Sequence, residues 1–98
     1  MEPVIARLKK GGNNFEILVY PREAIEFKQG KGEISNVLVS EEIYSDAEKG
    51  EKVSLSELTK NFGTSDKIEI AKRILIEGEI QIPKELRDEL IEKKRKQI

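Results

Sequence analysis

The sequence predicts an α+β domain in which a small, mainly antiparallel sheet, made of an N-terminal hairpin and two short strands, is covered by four or five helices. Over the first twenty residues, apolar and polar side chains alternate with period two, which is typical of strands. Further along, two segments begin with a residue that caps helices and end at a glycine. Because strands do not alternate regularly with helices, a mainly antiparallel sheet is favoured over a parallel one.

The hairpin prediction depends on apolar residues at every second position of two strands, namely Val4, Ala6, Leu8, Phe15, Ile17 and Val19. Between the strands, residues 11–14 read Gly-Gly-Asn-Asn and tolerate the positive φ angles of a tight turn. We therefore expect the apolar set to face the core. Arg7 and Lys9 are then expected to share the opposite, exposed face of the first strand.

The middle of the chain predicts short elements. Pro21 suits the first turn of a helix over residues 22–29, because its missing N–H has no intrahelical partner at that position. A second helical piece is expected over residues 33–38. Ile43 and Tyr44 are then expected to form a brief strand, followed by a polar turn over residues 45–50.

A third helix is predicted from its start and stop signals. Ser54 and Glu57 have the spacing of a capping box, in which each side chain bonds the other residue's backbone N–H. Gly63 fits the left-handed position just past the helix end. We expect one buried face formed by Leu55, Leu58 and Phe62.

A fourth helix is predicted to begin at a similar pair, Asp66 and Glu69, and to end at Gly78 as a second positive-φ stop. Residues 79–82 alternate as a short strand, and Pro83 opens a final helix. That helix ends in the basic run 93–96. Since Glu89 and Glu92 precede these lysines at helical spacing, an ion-paired helix end is favoured over an RNA-binding tail.

The composition excludes several functional classes. The chain has 98 residues, no Cys and no His, which removes disulfides, the usual zinc, haem and iron–sulfur ligands, and His-dependent nucleophilic catalysis. Glu41 and Glu42 are adjacent and point to different faces, so they make a poor acid–base pair. We predict no enzyme, no cofactor and no metal site. No apolar run approaches the roughly 18 residues of a membrane span, which predicts a soluble, cytoplasmic protein without a membrane partner.

The formal net charge of −1 conceals a local asymmetry. Residues 1–20 are slightly basic, whereas residues 21–50 are acidic. Arg7 and Lys9 on one strand face, with Lys10 at the turn, could follow a phosphate backbone. The alternative is an ordinary solvated strand face on which a basic residue pairs with Glu16 across the hairpin.

Three blocks of the sequence, in the same order, resemble the Shwachman–Bodian–Diamond syndrome (SBDS) protein family. Residues 4–12, Val-Ile-Ala-Arg-Leu-Lys-Lys-Gly-Gly, with Phe-Glu-Ile at 15–17, resemble its opening hairpin. Residues 62–66, Phe-Gly-Thr-Ser-Asp, resemble its helix–turn–helix junction. Ile-Leu at 74–75 and Gly-Glu-Ile-Gln-Ile at 78–82 resemble its last strand and the segment before it. The chain is identified as the N-terminal, FYSH-like domain of an archaeal-type member.

The resemblance implies a ribosome maturation factor that binds large-subunit ribosomal RNA (rRNA) and ribosomal proteins and supports late subunit maturation. Full-length members act with an elongation-factor-like GTPase to release an anti-association initiation factor. They contain two further domains. We therefore expect residues 1–83 to form the N-terminal domain, and residues 84–98 to form the helix that begins the next domain.

The resemblance also assigns individual residues. Arg7, Lys9 and Lys10 match the basic hairpin strand, and Lys49 falls in the Lys-Gly turn before the third helix, so these four are the RNA-binding candidates. Three further matches are assigned to fold maintenance: Phe62, Gly63 and Gly78. The alternative function is a protein–protein interaction module with little intrinsic RNA affinity, whose working face is the acidic stretch 41–48.

Overall fold

A computed structural model describes residues 2–89 of the chain. The strands are β1 (Val4–Lys10), β2 (Asn13–Val19), β3 (Tyr44–Asp46), β4 (Glu51–Lys52) and β5 (Glu79–Ile80). The helices are α1 (Pro21–Lys28), α2 (Ile34–Val37), α3 (Leu55–Phe62) and α4 (Lys67–Glu77), and residues 84–89 are also helical. The strands form one antiparallel sheet of order β4-β3-β2-β1-β5. The α+β prediction is confirmed.

The central hairpin pairs over the full length of both strands, from Val4 opposite Val19 to Lys10 opposite Asn13. Its connection consists of two residues, Gly11 and Gly12, with φ angles of 59° and 78°. Two consecutive positive φ angles match the twist of an antiparallel pair and suit glycine. The turn is therefore shorter than the four residues expected, because the two glycines alone reverse the chain.

The helices cover one face of the sheet. Phe15 and Phe62 meet there edge to face, with ring centroids 4.8 Å apart. The buried cluster combines inward residues of β1 and β2 with residues of all four helices, including Ala6, Phe15, Ile17, Val19, Ala24, Val37, Leu58, Ile70, Ile74 and Leu75. The predicted inward face of the hairpin is confirmed for its buried residues, while Val4 and Leu8 are half-buried at its margin.

The predicted starts of α3 and α4 are confirmed, but each predicted capping box is only half formed. Glu57 Oε2 accepts from Asn61 Nδ2 at 3.4 Å instead of from the N–H of Ser54, and the N–H of Asp66 donates to Thr64 Oγ1 instead of to Glu69. Ser54 Oγ accepts the backbone N–H of Glu57 at 3.3 Å at the start of α3, and Asp66 Oδ1 accepts the N–H groups of Ile68 and Glu69 at the start of α4. The end of α3 is also as expected, since the residue after it, Gly63, has φ 73°. By contrast, the predicted burial of Leu55 is wrong. It is 58% exposed, because the contact of α3 with the core begins one turn later, at Leu58.

The prediction of a positive-φ stop at Gly78 is wrong. Its φ is −97°, a value open to any residue. A Cβ at this position would instead lie 2.2 Å from the carbonyl oxygen of Arg7 and 2.6 Å from that of Ile74. Glycine is required here because the end of α4 lies against the backbone of β1.

Strand β5 is shorter than predicted, two residues instead of four. Strand β4 was not predicted. The two residues of β4 are polar and exposed, so they show no alternation. In the helical segment 84–89, Leu86 is buried and Glu89 forms a 2.8 Å ion pair with Arg22 of α1. The basic run 93–96 lies outside the described residues. No helix within residues 2–89 is long and apolar enough to cross a membrane.

Candidate nucleic-acid interface

The hairpin places its basic residues on both faces of the sheet. Arg7 and Lys9 are opposite Glu16 and Asn14 on the face of the hairpin that points away from the core cluster, here called the outer face. Lys10 points to the helix side, where its Nζ lies 6.0 Å from the ring centroid of Phe62. The end of the hairpin therefore carries cations on two sides of a turn that has no side chains.

Arg7 is engaged within the protein. Its guanidinium forms an ion pair with the carboxylate of Glu16, its neighbour across the hairpin. The Glu16 side chain is 2% exposed, whereas that of Arg7 is 41% exposed. The cross-strand pairing considered as an alternative is present, and the Arg7 side chain remains partly exposed.

The Glu16 carboxylate accepts from three donors. Oε2 is bonded by Arg7 Nε and by Asn14 Nδ2, the latter at 2.7 Å, and Oε1 accepts the backbone N–H of Ala47 at 2.7 Å. Burial by itself raises the pKa of Glu16, but the hydrogen bonds from Ala47, Arg7 and Asn14 outweigh it and hold the pKa below its ordinary value of 4.5. The carboxylate is therefore ionised at neutral pH.

Lys49 lies in the turn over residues 47–50, between β3 and β4. Its side chain is 73% exposed, with Nζ 4.0 Å from Asp46 Oδ2. Besides the pairing of β3 with β2, two hydrogen bonds that involve side chains join the turn and β3 to the hairpin. Ala47 N–H donates to Glu16, and Asn14 Nδ2 donates to the carbonyl of Ser45 at 3.1 Å. The structure thus brings the turn that carries Lys49 to the outer face beside Arg7.

The sequence did not reveal the role of two residues in the candidate interface, Arg73 and Glu16. Arg73 of α4 lies with its guanidinium carbon 5.3 Å from the Phe62 ring centroid and donates to the Phe62 carbonyl at 3.1 Å, adding a second cation near Lys10. Its only local signal is the i,i+4 pair with Glu77. Glu16 was identified only as a pairing partner. Its contact with Ala47 joins residues 31 apart, which no short-range pattern reveals.

Residues 2–88 match the sequence model of the Shwachman-Bodian-Diamond syndrome (SBDS) N-terminal domain. The chain belongs to this family. The membership inferred from three short sequence blocks is confirmed.

Within the SBDS family, the chain is 45% identical to the ribosome maturation protein SDO1 homolog of Aeropyrum pernix, over 97% of this chain and 41% of that protein. It is 41% identical to the homolog of Methanothermobacter thermautotrophicus, over 99% of this chain and 43% of that protein. The ribosome maturation protein SBDS of Xenopus tropicalis is 34% identical, over 90% of this chain and 36% of that protein. The higher identities to the archaeal proteins agree with the archaeal-type prediction. The chain spans about two-fifths of the length of these relatives.

Proposed function

We propose that this SBDS N-terminal domain belongs to a ribosome maturation factor and binds the large ribosomal subunit, with Arg7, Lys9, Lys10 and Lys49 contacting rRNA phosphates and neighbouring ribosomal proteins completing the site. The observation that carries the proposal is the similarity, over nearly the whole chain, to proteins named as ribosome maturation proteins. In the cytoplasm, the full-length protein would support late maturation and, with an elongation-factor-like GTPase, release an anti-association initiation factor. The role is one of binding, without a catalytic step.

The shape of the hairpin end supports phosphate contacts. Lys9 is exposed and has no ion pair among residues 2–89. Since Gly12 has no side chain and, its chain neighbours aside, no atom lies within 4 Å of the position that its Cβ would take, a nucleic-acid backbone can approach the turn closely at this residue. Ammonium groups that contact phosphates give affinity and orientation without reading the base sequence.

The test is a double charge reversal, Lys9→Glu with Lys49→Glu, in the 98-residue chain. Arg7 is left in place because its loss would leave the buried Glu16 carboxylate without its counter-ion. The matched control is Lys31→Glu with Lys84→Glu, which changes the net charge equally at exposed lysines that have no ion pair within residues 2–89.

Binding to large subunits and to rRNA fragments is measured at several salt concentrations. We expect the Lys9/Lys49 variant to bind much more weakly and to show a smaller salt dependence, because a phosphate that no lysine neutralises keeps its condensed counterions. The control variant should keep most of its affinity. Equal losses of affinity in the two variants, or no loss in either, would contradict the proposal.

A protein–protein interaction module is the second candidate. It is favoured by the ion pairs that oppose Arg7 and Lys49, and by exposed acids in the stretch 41–48, such as Glu41 and Glu48. This candidate predicts binding to whole subunits but not to naked rRNA. It also predicts that Glu41→Lys with Glu48→Lys weakens subunit binding while the Lys9/Lys49 reversal does not.

A further inference from the structure

The β3–β4 hairpin is attached to the rest of the sheet by few backbone contacts. β3 pairs with β2 at a single position, Glu16 opposite Tyr44. The β3–β4 ladder is itself irregular between Tyr44 and Asp46. Consequently the position of the turn over residues 47–50, and of Lys49 within it, depends on side chains as well as on sheet pairing.

The Glu16 carboxylate supplies much of that attachment, because one of its oxygens bonds the β1–β2 hairpin and the other bonds the turn over residues 47–50. Oε2 holds Arg7 of β1 and Asn14 of β2. Oε1 accepts the N–H of Ala47, which is two residues from Lys49. One buried group therefore contacts two of the regions that carry RNA-binding candidates.

We propose that Glu16 is a positioning residue for the RNA-binding surface, whose two carboxylate oxygens hold the Arg7 guanidinium and the Lys49 turn in a fixed relative arrangement. This inference rests on the proposed function for its RNA-binding consequence. Glu16 itself does not contact the RNA, because its side chain is 2% exposed.

The chemistry of the site requires a carboxylate at this position. The three groups that face Glu16 are all donors, and an ionised carboxylate is an acceptor at both oxygens. A glutamine has one oxygen and one NH₂ group, so either Ala47 or the Arg7–Asn14 pair would meet a donor instead of an acceptor. Since the residue 16 side chain is 2% exposed, water has little access to the group that loses its partner, and the lost hydrogen bond is not fully replaced.

If Glu16 positions the Lys49 turn, Glu16→Gln should weaken RNA binding, whereas simple electrostatics predicts stronger binding. Glu16→Gln removes one negative charge next to Arg7, and charge alone would strengthen binding to a polyanion. Glu79→Gln is a matched control, because Glu79 is exposed and lies opposite Arg7 on β5. It removes the same charge beside the same arginine without touching the Lys49 turn.

The experiment measures rRNA-fragment affinity for the wild type, Glu16→Gln and Glu79→Gln, each with and without Lys49→Ala. We expect Glu16→Gln to weaken binding about fivefold, the effect of removing about one hydrogen bond. Glu79→Gln should leave affinity unchanged or raise it. Lys49→Ala should weaken the wild type and Glu79→Gln, yet have little further effect in Glu16→Gln.

A parallel pair of measurements with Lys9→Ala separates positioning from general loss of structure. Lys9 lies on the regular part of the hairpin, so its contribution should persist in the Glu16→Gln background. Unchanged or tighter binding by Glu16→Gln, or an undiminished effect of Lys49→Ala in it, would overturn the inference.

Amide hydrogen exchange in the absence of RNA tests the structural step independently. Glu16→Gln should speed exchange at Ala47, while the core amide of Ile74 stays protected. A wild-type protein that binds no RNA overturns the proposed function, and Ala47 exchange then decides whether Glu16 holds the turn. Unchanged exchange at Ala47 overturns the positioning inference whatever the RNA result.

Discussion

Gly78 lies against the backbone of Arg7, so close that a Cβ on Gly78 would stand 2.2 Å from the Arg7 carbonyl oxygen. The contact lies where α4 ends and the chain enters β5 beside β1. Lys28 of α1 also reaches this point, since its Nζ donates to the Gly78 carbonyl at 3.3 Å. The site thus joins helix α4, the first strand and the last strand.

Gly78→Ala should destabilise the domain by about 3 kcal/mol, because the added methyl meets backbone atoms that cannot rotate away. Gly50→Ala is the control. Gly50 has φ 70° and open space around its Cβ position, so only the backbone penalty of about 1 kcal/mol is expected. Urea unfolding of both variants measures the difference. Equal destabilisation would show that close approach is not the reason for glycine at position 78.

The hydrogen bonds to Glu16 should make stability depend on pH. Because its pKa is lower in the folded protein than its ordinary value of 4.5, the carboxylate contributes stability that is fully present above pH 4.5 and is lost as the pH falls through the folded-state pKa. Glu16→Gln lacks this contribution. The stability difference between wild type and Glu16→Gln should be greatest near neutral pH and shrink in acid. Urea titrations from neutral pH down to about pH 3 test this, and a constant difference would contradict it.

Leu55 and Leu58 belong to the same helix but should respond differently to truncation. Leu58→Ala should cost about 3 kcal/mol, because Leu58 is fully buried and its removal leaves a cavity. Leu55→Ala should cost less than about 0.5 kcal/mol, since that side chain is 58% exposed. Thermal unfolding of the two variants measures both effects. A large destabilisation by Leu55→Ala would indicate a contact that this exposure does not reveal.

Asp66 should stabilise the start of α4 through its side chain. Asp66→Ala removes the acceptor for the N–H groups of Ile68 and Glu69 and should cost about 1 kcal/mol. Ser65→Ala, one residue earlier at an exposed position outside the helix, serves as the control and should change stability by less than about 0.5 kcal/mol. Chemical denaturation distinguishes them. A similar response of the two variants would argue against capping by Asp66.

Much of the fold could be predicted because its signals are local. The period-two pattern identified the central hairpin, whose strands are adjacent in sequence. Ser54 and Asp66 marked helix starts because a cap bonds N–H groups only two or three residues away. Strand β4 was not predicted, because its two exposed polar residues show no alternation of apolar and polar side chains. They form a strand only through their pairing with β3.

For the candidate site, the sequence by itself determined that Arg7 and Lys9 share a strand face, since side chains alternate along any strand. Only the tertiary structure decided that Glu16 joins Arg7 to Ala47, that Arg73 lies beside Phe62, and that Gly78 must lack a Cβ. The physical reason is the range of the interactions. Strand faces and caps follow from the geometry of neighbouring residues, whereas these contacts exist only where separate elements meet.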